Sequence, residues 1–160
     1  GSVWEAFMSA GHYGLDNLVF IIDYNKVQAK GFVCDDMTLE PLEDKLKAFN
    51  LDVHVVKNGH DVSEIIECMN SVRTSRRGKP TAIILNTIKG YPIKMCEYNP
   101  NWHTSAPRSI EQATLWLEEL WEKAGRRLGV DHAFVKGLAD SIRVAGPLHE
   151  NPDKIDDKQA

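Results

Sequence analysis

The sequence is short of the features that would commit it to several large functional classes. It has three cysteines in 160 residues, Cys34, Cys68 and Cys96, far apart and with no Cys-x-x-Cys pair. An odd, scattered set argues against a disulfide framework or a thiolate zinc site and reads as reduced thiols of a cytoplasmic protein. There is no long apolar run and no signal-like start, so neither membrane insertion nor export is expected. No basic run is longer than Arg76-Arg77, and the net charge is -4, which speaks against a nucleic-acid surface. No internal repeat is found. What is present, 42% hydrophobic and 26% charged residues, suits one soluble domain large enough to hold a core without staples.

The run Leu18-Val19-Phe20-Ile21-Ile22 stands out, because it leads straight into two short acceptor side chains, Asp23 and Asn25. Five apolar residues are too few for a buried helix and read as a strand covered on both faces. In open α/β sheets ligands bind beyond the carboxyl ends of the strands. Asn25 therefore stands either where a cation or phosphate is held or at the start of an Asx turn. Ahead of this strand, Ser2 and Glu5 form a capping box for a helix with Val3, Ala6, Phe7 and Ala10 on one face and Gly14 as its stop. A helix with no strand before it suggests that the chain starts in the middle of a fold.

After a loop over Gln28–Leu39, the pattern predicts a helix with Pro41 in its first turn and Leu42, Leu46 and Phe49 inward. A strand over Asp52–Val56 and an Asn58-Gly59 turn follow. Asp61, with Glu64 completing the box, opens a helix whose inward residues are Val62, Ile65, Ile66, Met69 and Val72. A polar connection leads to a strand over Pro80–Asn86. This rhythm predicts an α/β doubly wound parallel sheet with flanking helices. Thr87–Arg108 is a loop of about twenty residues holding Tyr91, Tyr98, Trp102 and His103, and loops of that length are usually functional or disordered; its aromatic content argues against disorder. Ser109 caps a helix to about Arg126 with Ile110, Ala113, Leu117, Leu120 and Ala124 as its stripe. A last helix over Asp131–Val144 carries Phe134, Val135, Leu138 and Ile142. The expected domain is 1–145, followed by a polar tail, 146–160.

Five pieces, in this order, resemble the diphosphate-binding domain of transketolases. They are Gly1-Ser2-Val3-Trp4-Glu5-Ala6, Leu15-Asp16-Asn17-Leu18, Asp23-Tyr24-Asn25-Lys26-Val27-Gln28, Lys89-Gly90-Tyr91 and Trp102-His103-Thr104-Ser105-Ala106-Pro107. The likeness covers residues 1 to 108 and is greatest to bacterial enzymes whose two thiamine-binding domains lie on separate chains. Asn25-Lys26 is the transketolase version of a step that pyruvate dehydrogenase-type relatives fill with Asn-Asn. The resemblance implies a partial thiamine diphosphate-binding fold. It also implies that the Asn25 side chain and the Val27 carbonyl ligate Mg²⁺ or Ca²⁺. The family's cofactor motif begins with Gly-Asp-Gly-Glu, and only its second half is present here, so the family's charged metal ligand is missing.

By the same resemblance Lys89 lies near the cofactor, where it offsets diphosphate charge or touches substrate; its plain alternative is a solvated lysine at a strand exit. His103, in Trp-His-x-x-Ala-Pro, lies over the thiazolium and assists proton transfer, work that suits an imidazole. His60 in Asn58-Gly59-His60-Asp61 matches a family turn and is most simply structural. The expected function is that of a transketolase component moving a two-carbon ketol unit between sugar or sugar-phosphate substrates. The glutamate that activates the cofactor lies in the family's pyrimidine-binding domain. The expected partners are therefore a pyrimidine-binding transketolase chain and a second copy, with Trp4, Trp116 and Trp121 available to the core or to an interface. The alternatives are a non-catalytic assembly module and a related enzyme of deoxyxylulose-phosphate-synthase or 2-oxo acid dehydrogenase type.

Overall fold

Residues 2–74, 77–126 and 128–145 are described by a computed structural model of the chain. They fall in two compact units, one comprising Gly1–Lys89 with Tyr98–Pro100 and the other Gly90–Glu97 with Asn101–Ala160. The expected tail from Gly146 onward lies outside the described residues.

The first unit is built on a parallel sheet of three strands, β1 (Val19–Asp23), β2 (Asp52–Val56) and β3 (Thr81–Leu85). Their order is β1-β3-β2, with Ile21 opposite Ile83 and His54 opposite Ile83 from the other side. The central strand, β3, buries Thr81 through Ile84. One sheet face, through Phe20, Ile22, Ala82, Ile84 and Val53, packs on α1 (Ser2–Tyr13) and α3 (Leu42–Ala48). The other, through Val19, Ile83, Leu85 and Val56, packs on α4 (Val62–Thr74). Helices on both faces of a parallel sheet are the α/β arrangement expected from the sequence.

Several local expectations shift. The first strand is not covered on both faces: β1 is an edge strand among the described residues, and Ile21 is 58% exposed because α4 reaches across β2 and β3 only as far as Val19. Ser2 lies inside α1 rather than ahead of it, and the buried stripe is Trp4, Phe7 and Ala10, with Val3 and Ala6 outward. Phe7 meets Phe20 edge-on at 4.8 Å, and Trp4 meets Phe7 at 5.8 Å. Gly14 does stop the helix, at φ +61°, with Leu15 N–H bonded to the Ala10 carbonyl and Gly14 N–H to that of Gly11. The stretch 28–39 contains a one-turn helix, α2 (Val33–Asp36). Pro41 stands just ahead of α3 rather than in it, while Leu42 and Leu46 are buried as expected. On α4 only Val72 is buried and Ile65 half-buried; Val62, Ile66 and Met69 face outward. Asp61 caps α4 through Ser63 N–H at 2.8 Å, but Glu64 reaches back to Asn58 N–H rather than to Asp61.

The end of β1 is tied to the start of α3. The Tyr24 ring packs on the first core cluster, and its hydroxyl donates to Glu40 Oε1 at 2.5 Å. Glu40 Oε2 accepts from Leu42 N–H at 3.0 Å, capping α3. Burial, then the bond to Glu40, push the Tyr24 phenol up to about 12. The Tyr24 bond, then the Leu42 amide, hold the Glu40 carboxyl below the usual range.

In the second unit, Ser109 caps α5 (Ile110–Leu120) by accepting from Gln112 N–H at 3.2 Å. The expected continuation to Arg126 is a π-helical turn, Trp121–Gly125, rather than more α-helix. Trp121 Nε1–H donates to the Val130 carbonyl at 2.9 Å, and Gly125 leaves room for the Trp121 ring. Ala113 is buried and Ile110 and Leu117 half-buried, whereas Leu120 and Ala124 do not join them: Leu120 is exposed and Ala124 is exposed too. The last helix, α6 (His132–Ala145), buries Val135 and Ala139; Phe134 and Leu138 point outward, and the Ile142 side chain is outside the described set. Trp116 donates to Met95 Sδ at 3.0 Å and meets Trp102 edge-on at 5.1 Å. Trp4, Trp116 and Trp121 thus each make packing contacts within their own unit.

Two of these contacts predict measurable changes in stability. A Cβ on Gly11 would lie 1.9 Å from the Phe49 carbonyl oxygen, so Gly11→Ala forces α1 away from α3 and costs about 1–3 kcal/mol in urea unfolding. Tyr24→Phe costs about 1 kcal/mol at neutral pH, and the gap from the wild type closes at both pH extremes. The raised phenol contributes fully below its ordinary value near 10 and loses that contribution as pH rises through about 12. The lowered Glu40 carboxyl contributes above the usual carboxylate range and loses it as pH falls through its own value. Urea midpoints of both proteins across acid, neutral and alkaline pH measure this; a gap constant with pH refutes it.

Candidate functional site

The chain leaves β1 through Asp23-Tyr24-Asn25-Lys26-Val27, and the polar atoms there have defined roles. Asp23 Oδ2 accepts from Asn25 Nδ2 at 3.1 Å, and Asp23 Oδ1 accepts from the Thr87 hydroxyl beyond the end of β3. Asn25 Oδ1 accepts from Val27 N–H at 3.0 Å, so the Asx turn is formed. Lys26 completes it at φ +65°, a left-handed position, with its ammonium 5.2 Å from the Tyr24 ring centroid. Val27 is buried and bridged to Phe32, while the Lys26 carbonyl accepts from Val33 N–H. An amide oxygen has two acceptor sites, and the turn uses one of them.

Beyond the carboxyl ends of the strands lies a cleft of about 210 Å³ lined by Lys26, Lys57, Asn58, His60, Asn86, Thr87, Ile88 and Tyr98. Its floor is the close approach of the turns leaving β2 and β3. Gly59 N–H donates to the Asn86 carbonyl at 2.8 Å, and a Cβ on Gly59 would lie 2.6 Å from Thr87 Cγ2. Glycine is the residue that lets these turns meet. His60 Nε2 accepts from Ile88 N–H at 2.7 Å, which assigns the proton to Nδ1 and pins the two turns together. His60 is therefore structural, as its sequence context implied, yet it also lines the cleft. With two lysines and no carboxylate among its lining residues, the cleft carries local positive charge.

Of the four site residues expected from the sequence, Asn25 and Val27 come together in one turn. Lys89 follows Ile88 in the same unit, half-buried, its carbonyl accepting from Tyr98 N–H at 3.0 Å. His103 stands in the second unit, exposed, directly after a 3₁₀ turn at Pro100–Trp102. Asn25 Oδ1 and the Val27 carbonyl are hard, neutral oxygens, the donor type that Mg²⁺ and Ca²⁺ accept. Among the described residues no group of three or more His, Cys, Asp or Glu could hold a metal by itself. By donor type alone, a cation on these two oxygens would need further oxygen ligands, such as those of a phosphate, to complete its shell. Lys57 and Thr87 were not singled out from the sequence. Each lies just past a strand, and the carboxyl-end rule applied to β2 and β3 as well as β1 would have found them.

Residues 1–121 match the family described as transketolase, thiamine diphosphate binding domain. One chain of the apulose-4-phosphate transketolase of Actinobacillus succinogenes is 40% identical over 120 residues, covering 75% of this chain and 42% of that protein. The 6-deoxy-6-sulfo-D-fructose transketolase subunit SqwG of a Clostridium species is 44% identical over 90 residues, 56% of this chain and 32% of that protein. The chain thus spans less than half the length of these curated relatives. Among solved structures, transketolase from Campylobacter jejuni superposes with a TM-score of 0.65 at 29% identity, covering 78% of this chain and 18% of that one. No helix among the described residues is long and apolar enough to cross a membrane. With its matching sheet and the family match over three quarters of its length, the chain belongs to the transketolase thiamine diphosphate-binding domain family.

Proposed function

We propose that this chain is the diphosphate-binding component of a two-chain, thiamine diphosphate-dependent transketolase that acts on sugar or sugar-phosphate substrates. The observation that carries the reading is the Asn25–Val27 turn at the carboxyl end of β1, beside a cleft whose charged lysines are Lys26 and Lys57. In this reading Asn25 Oδ1 and the Val27 carbonyl would hold Mg²⁺ or Ca²⁺ at the diphosphate end of the cofactor. Lys26, Lys57 and Lys89 offset the remaining negative charge. When bound, thiamine diphosphate supplies the carbon nucleophile and electron sink for moving a two-carbon ketol unit. His103 is the residue of this chain that bonds substrate oxygens and holds or releases a proton there. The domain in this reading takes in residues 1–145.

The relatives' names, which call each of them one subunit of its transketolase, support a partner chain. In this reading that chain brings the pyrimidine-binding half, and a second copy completes the assembly. Three free cysteines are in keeping with a cytoplasmic setting. Calorimetric titration of thiamine diphosphate into the chain in the presence of Mg²⁺ tests the reading. Binding that disappears with EDTA is expected, and Asn25→Ala is expected to weaken it at least about tenfold. His103→Ala is expected to leave that affinity within a factor of about two and to lower ketol transfer when the chain is assembled with its partner. No heat from the wild-type chain, alone or assembled, overturns the proposal, and binding untouched in Asn25→Ala overturns the metal assignment.

A further inference from the structure

We infer that Tyr24 and Glu40 are a positioning pair, whose hydrogen bond across the loop holds the Asn25 and Val27 oxygens in the geometry that a cation requires. This rests on the assignment of those two oxygens as metal donors.

Asn25 directly follows an anchored residue. Tyr24 N–H bonds to the Leu85 carbonyl at 2.9 Å, the last rung of the β1–β3 ladder, so the sheet's control of the backbone ends one residue before the donor. The Tyr24 side chain then carries the anchorage onward, because its ring packs against the core cluster of α1, α3 and the sheet. Its hydroxyl donates to Glu40, sixteen residues away, at 2.5 Å. Glu40 is itself fixed: Oε2 accepts from Leu42 N–H, and its backbone carbonyl and that of Leu39 accept from Lys45 Nζ at 3.2 and 2.9 Å. The phenol is therefore bonded to a carboxylate seated on the first turn of α3.

The consequence falls on the next three residues. Lys26 holds a left-handed φ of +65°, a conformation that a non-glycine residue keeps only when its surroundings fix it. Its ammonium lies over the Tyr24 ring, so the ring's placement also supports the turn. Val27 N–H completes the turn on Asn25 Oδ1, which sets the direction of that oxygen's remaining acceptor site. Loss of the phenol bond frees the ring at its polar end and removes the hydrogen-bonded link from this turn to the start of α3. Partners that orient a metal ligand without touching the metal commonly contribute about 10- to 100-fold in affinity.

Tyr24→Phe keeps the ring, its packing and the Glu40 cap on α3, and removes only the donated bond. The full chain, wild type and Tyr24→Phe, is titrated with Mg²⁺ in saturating thiamine diphosphate, and amide hydrogen exchange is followed at Val27 and at Ile83 in β3. The expected result is Mg²⁺ affinity about tenfold weaker, with exchange faster at Val27 and unchanged at Ile83 relative to global stability. Glu40→Gln in the Tyr24→Phe background is expected to add less than about twofold, because the pair acts as one unit. Mg²⁺ affinity within about twofold of wild type overturns the positioning role, as does exchange that accelerates equally at Val27 and Ile83. A wild-type chain that takes up no Mg²⁺ with thiamine diphosphate overturns the donor assignment, and this inference with it.

Discussion

Parallel pairing of β3 between β1 and β2 is the constraint from which the site follows. Thr81 through Ile84 are buried, and both neighbours bond to this strand in parallel. Parallel neighbours end at the same edge of the sheet, so the turns after Asp23, Val56 and Leu85 must share one small region. The bonds seen there are between those turns: Thr87 to Asp23, Ile88 N–H to His60, and Gly59 N–H to the Asn86 carbonyl. Had β1 run antiparallel to β3, Asn25 and Thr87 would lie at opposite ends of the sheet. The polar cleft is thus a consequence of strand direction, and strand direction is set by helices that cross over between the strands.

The same constraint explains which parts of the fold are legible in the sequence. Short apolar runs bounded by turn residues identify β1, β2 and β3, and the spacing of helices between them implies a parallel sheet. Side-chain direction is harder to read. On α4, Val62, Ile66 and Met69 are at spacings that satisfy a helical stripe as well as Ile65 and Val72 do, yet they face outward. Two apolar stripes on one helix cannot be ranked without knowing how the helix sits on its sheet. Ile21 shows the same limit for a strand: its apolar character does not reveal that α4 stops short of it. The π turn after Leu120 has no sequence mark beyond Gly125, where the Trp121 ring lies against the chain.

For the site, residue types at a strand end are legible but their bonds are not. Asn25 admits two readings, a turn or a ligand, because Asn suits both for the same reason: a short side chain with a carbonyl oxygen. The resemblance to transketolases favours the ligand. Pairings such as Tyr24 with Glu40 or His60 with Ile88 span 16 and 28 residues and depend on where two loops meet in space, which no local pattern encodes.

In the reading proposed above, the turn and the ligand are compatible, and the turn would give the ligand its geometry. Asn25 Oδ1 spends one acceptor site on Val27 N–H. That bond fixes the side-chain rotamer, and the bond from Nδ2 to Asp23 fixes the amide's orientation. A free asparagine would lose its rotamer freedom on meeting a cation and weaken the binding by that amount; here folding has already ordered it. Val27 enters the same arrangement twice, since its amide closes the turn and its carbonyl belongs to the residue that the turn holds in place. The acidic Asp23 adds charge close to this turn, its two oxygens accepting from Asn25 and Thr87. A neutral oxygen pair set this way suits a metal that arrives with a diphosphate better than a bare one, because the phosphate oxygens bring the charge that the protein donors lack.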